Sequence, residues 1–508
     1  MKKLLTLATC VLLTYNAFAQ NKSTPPLNLN FEETENNLPK GWFISGSPSY
    51  KTNIDTQNVQ NGKNALLIEG TGGYKIITLG LPHNYTGKNI KLTGYVKTEN
   101  ISDGQAALWM RIDPKVAFDN MQNRGITGTT DWKKVEITLP LNPEVTDQIF
   151  VGALLSGSGK MWIDNFSISV DGVDIKDAKF IATKVDPKQA QKVLDQIIQL
   201  TKTKSIYKNN VNWDTLIPEV QKSFNPDANN IFNAVKPAVA LMLDKLKDNH
   251  SFLKTKTSSV ARSNPDNLFA RVNTETGTAI SESKGNIRTQ MLEKKIGYIS
   301  IPGMSTSTDK KERDEQVQKL GQALRDSLCK LNPKDLKGII VDLRLNVGGN
   351  MYPMISGIAP LLGDGKAGSF VQEGKKQSPW SVKDGNIFLG HTQQVTLQNN
   401  CTPDKKIKIA ILTGPATASS GEATTISFIG KNNVKLIGEK TAGLVSANNT
   451  IKITDDLYYF LSNSYEADRN DKEYKESIPP DVEIIGGDNF KDLTNDKKIL
   501  AALQWIKQ

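Results

Sequence analysis

The chain has 508 residues with 38% hydrophobic residues, which is length enough for about three domains, each with its own apolar core. The formal net charge is +10, but the basic residues are spread along the chain without a block and without aromatic–basic interleaving, which argues against a nucleic-acid-binding protein. So mild an excess fits an acidic surface or partner only weakly.

The chain opens with Lys2-Lys3, an apolar run over 4–13 and Ala17-Phe18-Ala19. That is the pattern of a secretory signal peptide, residues 1–19, cleaved before Gln20. Loss of Lys2 and Lys3 takes the charge from +10 to +8. Leu7-Ala8-Thr9-Cys10 faintly resembles a lipoprotein box, but the threonine is unusual and the apolar run continues past the cysteine, so lipidation ranks second. No later segment is long and apolar enough to span a bilayer. The mature protein is expected to be exported, periplasmic or extracellular, and either soluble or held at the cell surface. Cys329 and Cys401 survive cleavage. Two cysteines make no disulfide framework, although export permits one bond. Neither lies in a histidine pattern that suggests thiol catalysis or zinc, and neither a metal nor an organic cofactor is expected.

Residues 20–173 read as all-β. Short alternating runs (65–68, 90–96, 135–139) are separated by Gly, Asn, Asp and Ser turns, a spacing that predicts a β-sandwich. Asn30-Phe31-Glu32, Pro39-Lys40-Gly41-Trp42, Asp131-Trp132 and Trp162-Ile163-Asp164-Asn165-Phe166 resemble jelly-roll modules of the carbohydrate-binding type. The resemblance implies a concave face lined with aromatics and a glycan as partner. Trp42 and Trp132 serve equally well as core filling.

The period changes over 174–256. Val193, Ile197 and Leu200 fall on one helical stripe, and Ile231, Val235, Val239, Met242 and Leu246 on another. The segment closes on Asp248-Asn249-His250. In the remaining segment, 257–508, the first core strand is 296–301. Val317, Leu320, Leu324 and Leu328 line a helix expected to pack under the strand 339–343. That strand runs into Asp342-Leu343-Arg344-Leu345-Asn346-Val347-Gly348-Gly349. Paired glycines permit positive φ and a close approach of backbone N–H groups to a ligand oxygen. A second apolar run, 407–412, leads into Thr417-Ala418-Ser419-Ser420-Gly421-Glu422 and then a helix-like pattern. A serine on such a turn has an exposed hydroxyl beside unpaired first-turn N–H groups, which suits a nucleophile. An isolated Ser-Ser-Gly-Glu reads equally as a helix N-cap.

Taken together, Asp-Leu-Arg-x-Asn-x-Gly-Gly, Thr-Ala-Ser-Ser-Gly-Glu, Ile437-Gly438-Glu439-Lys440-Thr441-Ala442-Gly443 and Ile478-Pro479-Pro480-Asp481-Val482 resemble the tail-specific (C-terminal processing) serine peptidase family. The resemblance covers about the C-terminal half. It implies an α/β peptidase core of repeated ββα units behind the sandwich and a helical lead-in. Many relatives carry a PDZ domain after the histidine, but only 45 residues separate His250 from Ile296, so none fits here.

The family has two catalytic solutions. The processing proteases pair serine with a lysine twenty-five positions downstream, which is Leu444 counted from Ser419. Leucine accepts no proton, and Lys440 falls where the family lysine is not catalytic. The tricorn-like branch uses serine and the histidine of Asp-x-His, which points to His250 rather than His83 or His391. The resemblance therefore implies Ser419 as nucleophile, with Ser420 second, and His250 as general base. The oxyanion donors would be the N–H groups of Ser420 and Gly349, with Gly348 as alternative. The orienting acid would be Glu473, with Asp468 and Glu476 behind it, because strict counting lands on Tyr474. Asn249 stands where that branch has a serine. A histidine in this role titrates near about 6 to 7 in the absence of other information. The activity implied is hydrolysis of peptides or unfolded protein tails. The rivals are an inactive relative that binds peptides or lipophilic ligands in the same cleft, and a glycan-binding surface protein.

Overall fold

The computed structural model describes residues 27–508, except positions 48, 82–83, 114–115, 144–145, 147, 182–184, 227, 229, 257, 263–269, 284, 373–374 and 405. The expected signal peptide, residues 1–19, with Cys10, and His83 lie outside the described residues.

The N-terminal unit is built on three long strands, Ala65–Gly80, Asn89–Asp113 and Gln148–Val170, paired antiparallel. The pairings break register near the middle of the last strand, around Ser156, Ser158 and Lys160, and the three belong to one eight-stranded sheet. Alternation sets the inner face: Leu66, Ile68, Ile77, Leu108, Met110, Ile112, Val151, Ala153 and Ile163 are fully or almost fully buried. Trp42 belongs to this core. It packs against Phe31 and Phe166, and its indole N–H donates to the Asn28 carbonyl. Trp132 is half-buried.

Three helices follow: α1 (Pro187–Lys204), α2 (Trp213–Lys222) and α3 (Ile231–Leu246), each opened by an Asp or Asn side chain that accepts a first-turn N–H. Their apolar stripes, Leu194, Ile197, Val235, Val239 and Met242, close on Leu457 and on Tyr459 and Leu461 of the strand Tyr458–Asp468. The helices thereby pack on the α/β core that follows. α3 ends on Lys247 in the left-handed region (φ 55°), and the chain turns at once into Asp248-Asn249-His250.

The core holds two sheets. One is six-stranded in the order Arg288–Glu293, Ile296–Ser300, Gly338–Asp342, Lys408–Thr413, Val434–Gly438, Val482–Glu483, with every pair after the first parallel. A parallel sheet needs cover on both faces. One face carries α5 (Lys310–Lys330), α6 (Met351–Leu362) and α7 (Ser420–Phe428), through Leu324, Leu328, Ile355, Ile358 and Ile426. The other carries α8 (Lys497–Lys507), through Ile499, Ala502 and Ile506. A short helix, α4 (Thr274–Ser283), precedes the sheet. The opening hairpin with α5 is a ββα unit. After it, Gly338–Asp342 and Lys408–Thr413 each run directly into one helix, so the repeat is not kept through the sheet. The second sheet is antiparallel and centred on Tyr458–Asp468, which pairs with Phe252–Lys254, Gly365–Gln372 and Ser446–Lys452. Cys329 at the end of α5 is disulfide-bonded to Cys401, with Cα atoms 5.5 Å apart.

Candidate active site

The site lies at the carboxyl ends of two adjacent parallel strands, where side chains and helix N-termini converge in open α/β sheets. Lys408–Thr413 delivers the 414–419 turn and α7, and Gly338–Asp342 delivers the paired glycines. The turn is fastened at several points. Thr417 donates its hydroxyl to the Leu343 carbonyl, and the Ala418 amide donates to the Asn346 carbonyl. Ser419 sits at φ 54°, ψ −120°, a backbone region that a non-glycine residue reaches only when its surroundings impose it. This strain turns the hydroxyl of Ser419 out of the helix start. Ser419 thus occupies the N-cap position while its hydroxyl faces a histidine.

His250 Nε2 lies 2.9 Å from Ser419 Oγ. The histidine is held from below by its own motif: buried Asp248 accepts the amides of His250 (3.0 Å) and Ser251 (2.9 Å) and the Ser251 hydroxyl (2.5 Å). Asp248 therefore shapes the turn and does not touch the ring. Burial lowers the imidazole pKa to about 4, and only a hydrogen bond to the Ser446 backbone opposes the fall. Desolvation disfavours the charged imidazolium.

Glu473 is not the ring's partner. It lies exposed on the two-residue strand Glu473–Tyr474 and pairs with Lys475 at 3.5 Å. Asp468 accepts from the amides of Asn470 and Lys472 and from the Tyr474 hydroxyl, and Glu476 is exposed. What stands at His250 Nδ1, 2.8 Å away, is the hydroxyl of Ser446. Counting from the final proline motif failed because the 468–476 segment folds back as an edge hairpin, away from the histidine turn. The partner is a small polar residue with no motif around it. It lies beside buried Ser462 and Ser464, which stand opposite Asn448 and Ala447.

On the other side of Ser419, the amides of Ser420 and Gly349 have no acceptor among the described hydrogen bonds. The Ser420 hydroxyl donates to the Gly349 carbonyl at 2.8 Å, tying the two donors' segments together and leaving Ser419 as the serine facing the imidazole. The Gly348 amide is already committed to Asn346 Oδ1 at 3.0 Å, so it is not a free donor. Gly348 has a different role. A Cβ there, at φ +103°, would come within 2.9 Å of the Ser419 Cβ. Gly349, at φ +128°, lies against the main chain of Met304 with no room for a side chain.

Beneath the turn, Glu422 is fully buried and gathers the amides of Ser419, Gly443 and Leu444 (each 2.8 Å) and the Thr441 hydroxyl (2.5 Å). It thereby ties the Ser419 turn to the loop that leads into Ser446. Burial raises its pKa to about 7 against those hydrogen bonds. Glu466, also buried, is pushed well up by burial and by the charge of Glu422. Two carboxyls this close do not both ionise readily. Lys440 is exposed, and its carbonyl accepts from Arg271. Among the described residues no cluster of His, Cys, Asp and Glu could hold a metal ion.

Known proteins resemble part of the chain. Residues 295–484 match the family model of peptidase family S41. A nisin-resistance protein of Lactococcus lactis subsp. lactis is 35% identical over 195 residues, which is 38% of this chain and 56% of that protein. The chain spans about half the length of the curated relatives it matches. Among solved structures, a lipoprotein from Streptococcus agalactiae aligns at 22% identity over 63% of this chain and 96% of its own, with a TM-score of 0.46. The xylan-binding domain of a Paenibacillus barcinonensis protein aligns at 17% identity over 28% of this chain and 90% of its own, with a TM-score of 0.23. The α/β core that carries Ser419 and its glycine-lined neighbour is thus the part of this chain that matches peptidase family S41, with His250 supplied from outside the matched residues.

Proposed function

We propose that the protein is an exported serine endopeptidase of the tricorn-like branch that hydrolyses peptides or unfolded protein tails. The observation that carries this reading is the 2.9 Å contact of His250 Nε2 with Ser419 Oγ, on a turn whose Ser420 and Gly349 amides are free to receive an oxyanion. His250 takes the Ser419 proton as Oγ adds to the scissile carbonyl carbon. The carbonyl oxygen becomes an oxyanion held by the two amides. As the C–N bond breaks, His250 protonates the leaving amine. Water, activated by the same imidazole, then hydrolyses the acyl ester and frees Ser419. The Cys329–Cys401 bond supports export, since such bonds persist in oxidising compartments.

A fluorophosphonate should label the full-length protein at Ser419 alone, and Ser419→Ala should take no label. A folded wild-type protein that takes no label and cleaves no peptide in a mixed library would favour an inactive peptide-binding relative.

A second reading, glycan binding by the sandwich, is favoured by one observation. Registered pairs place Phe43, Thr78, Gly152 and Trp109 in one row on the outer face, with Arg111, Phe118 and Phe150 in the next. Phe43 and Phe118 are 68% and 58% exposed, and Arg111 lies 4.9 Å over the Phe150 ring. Aromatic faces with adjacent polar groups suit sugar rings. On a glycan array, Phe43→Ala and Phe118→Ala should each weaken retention of the full-length protein. Equal retention, or none by the parent, would remove this reading.

A further inference from the structure

The ring nitrogen of His250 that faces away from Ser419 meets a hydroxyl where a carboxylate was expected, and the surrounding donors leave that hydroxyl little choice of role. The Asn448 side chain donates its NH2 to the His250 carbonyl at 2.9 Å, so its oxygen points the other way and accepts. The Ser462 hydroxyl, 2.9 Å from that oxygen, donates to it. With its hydrogen spent, Ser462 Oγ is left as acceptor for Ser446, 3.4 Å away. Ser446, whose hydroxyl also bonds to Tyr207, in turn offers His250 Nδ1 lone pairs at 2.8 Å, and its backbone accepts from the same ring. The circuit begins and ends on His250 and runs one way.

We propose that Ser446 is a positioning residue that, backed by Ser462 and Asn448, holds His250 as the Nδ1–H tautomer with the Nε2 lone pair aimed at Ser419. The proposal rests on His250 acting as the base. Ser446 and Ser462 are 4% and 0% exposed, so water does not compete for these hydroxyls. The charged and titratable groups around them are otherwise engaged or neutral. Asp248 accepts from Ser251 and two amides and is also hydrogen-bonded by Ser462, which spends the same Ser462 hydrogen on an acceptor other than Ser446. Tyr207, whose hydroxyl lies against Ser446, is held protonated by burial. Ser446 therefore orients the ring as the aspartate of a Ser-His-Asp triad does, but without a charge to stabilise the imidazolium.

The test uses the full-length protein labelled with 15N-histidine, whose three imidazoles are assigned through His83→Gln and His391→Gln. At pH 7 the His250 signals should report a protonated Nδ1 and a bare Nε2. Ser446→Ala should give mixed tautomers and lower kcat roughly ten- to a hundredfold with KM little changed, the range seen when a metal-bound histidine loses its outer hydrogen-bond partner. Ser446→Thr should restore both the tautomer and kcat. Ser446→Asp should move the acidic limb of the pH profile upward by about a unit or more, which a merely structural serine would not do. Wild-type His250 protonated on Nε2 would overturn the proposal, as would Ser446→Ala with unchanged tautomer and kcat. If the protein cleaves nothing and takes no fluorophosphonate, yet the imidazole reads Nδ1–H and responds to Ser446→Ala, the peptidase reading fails and the positioning role stands.

Discussion

Ser419→Ala and His250→Ala should each lower kcat/KM by on the order of a thousandfold or more, and the double variant should be scarcely worse than either. The two side chains form one proton-transfer unit. A serine without its base is a weak nucleophile, and a base without its serine has nothing to activate. The backbone of the Ser420 and Gly349 donors is untouched in all three variants, so a residual rate from oxyanion binding should survive in each. The pH profile separates this site from an ordinary exposed histidine. Burial holds the His250 pKa at about 4, and the neutral ring is the active form. kcat/KM should therefore rise through about pH 4 and stay level from about pH 5 to 8, where an unperturbed histidine would still be titrating. Full activity in His250→Ala would defeat the mechanism. A limb near pH 6 to 7 would mean that the ring is wetter than the structure places it.

That difference in pH also measures what the sequence could say. Periodicity gave the sandwich core, the stripes of α1 and α3 and the packing face of α5, because burial on one side of an element leaves a regular trace in its residues. Ser419, His250 and the paired glycines were legible because each sits in a motif whose spacing is tied to a single turn. The orienting partner was not. Ser446 reaches Nδ1 only because the strands Ser446–Lys452 and Phe252–Lys254 flank Tyr458–Asp468, a pairing across some two hundred residues that no local spacing encodes. The imidazole pKa was equally hidden, since burial is a property of the assembled helices and sheets. Gly348 was read as an alternative oxyanion donor because sequence reveals that an amide can be free, not that Asn346 has already claimed it. Arg344, part of the Asp-Leu-Arg motif, was legible as a position and silent as to purpose.

Its purpose is structural, and replacing it should have the largest effect on stability. Arg344 is 1% exposed. Its guanidinium donates to Asp342 (2.7 and 3.0 Å), Asp488 (2.7 Å) and Asp496 (2.7 Å) and lies 4.6 Å from the Phe490 ring. Buried Lys498 shares Asp488 and reaches Glu439. Arg344→Met would leave four carboxylates facing one ammonium in a dry site, and breaking a buried pair in this way costs about 3–5 kcal/mol. Asp496 also caps α8 through the amides of Lys498 and Ile499, so the loss should loosen the helix that covers Ile340, Leu412 and Ile437. For a unit of this size, the core transition should fall by roughly 6–20 °C in thermal unfolding of the full-length protein. Arg344→Lys should rescue little, because one ammonium cannot replace a planar fork that meets three carboxylates. The pH dependence should change sign. Burial pushes the Asp342 carboxyl up, but Arg344 holds it below its ordinary value. In the parent, that stability is present above the unfolded pKa and is lost as pH falls through the folded one. Without Arg344, burial pushes the Asp342 carboxyl up instead, so the variant should gain stability as pH falls from 7 to 5 while the parent does not. An Arg344→Met protein that melts within a degree or two of the parent at pH 7 would show that the carboxylates find other partners, and the motif arginine would need another explanation.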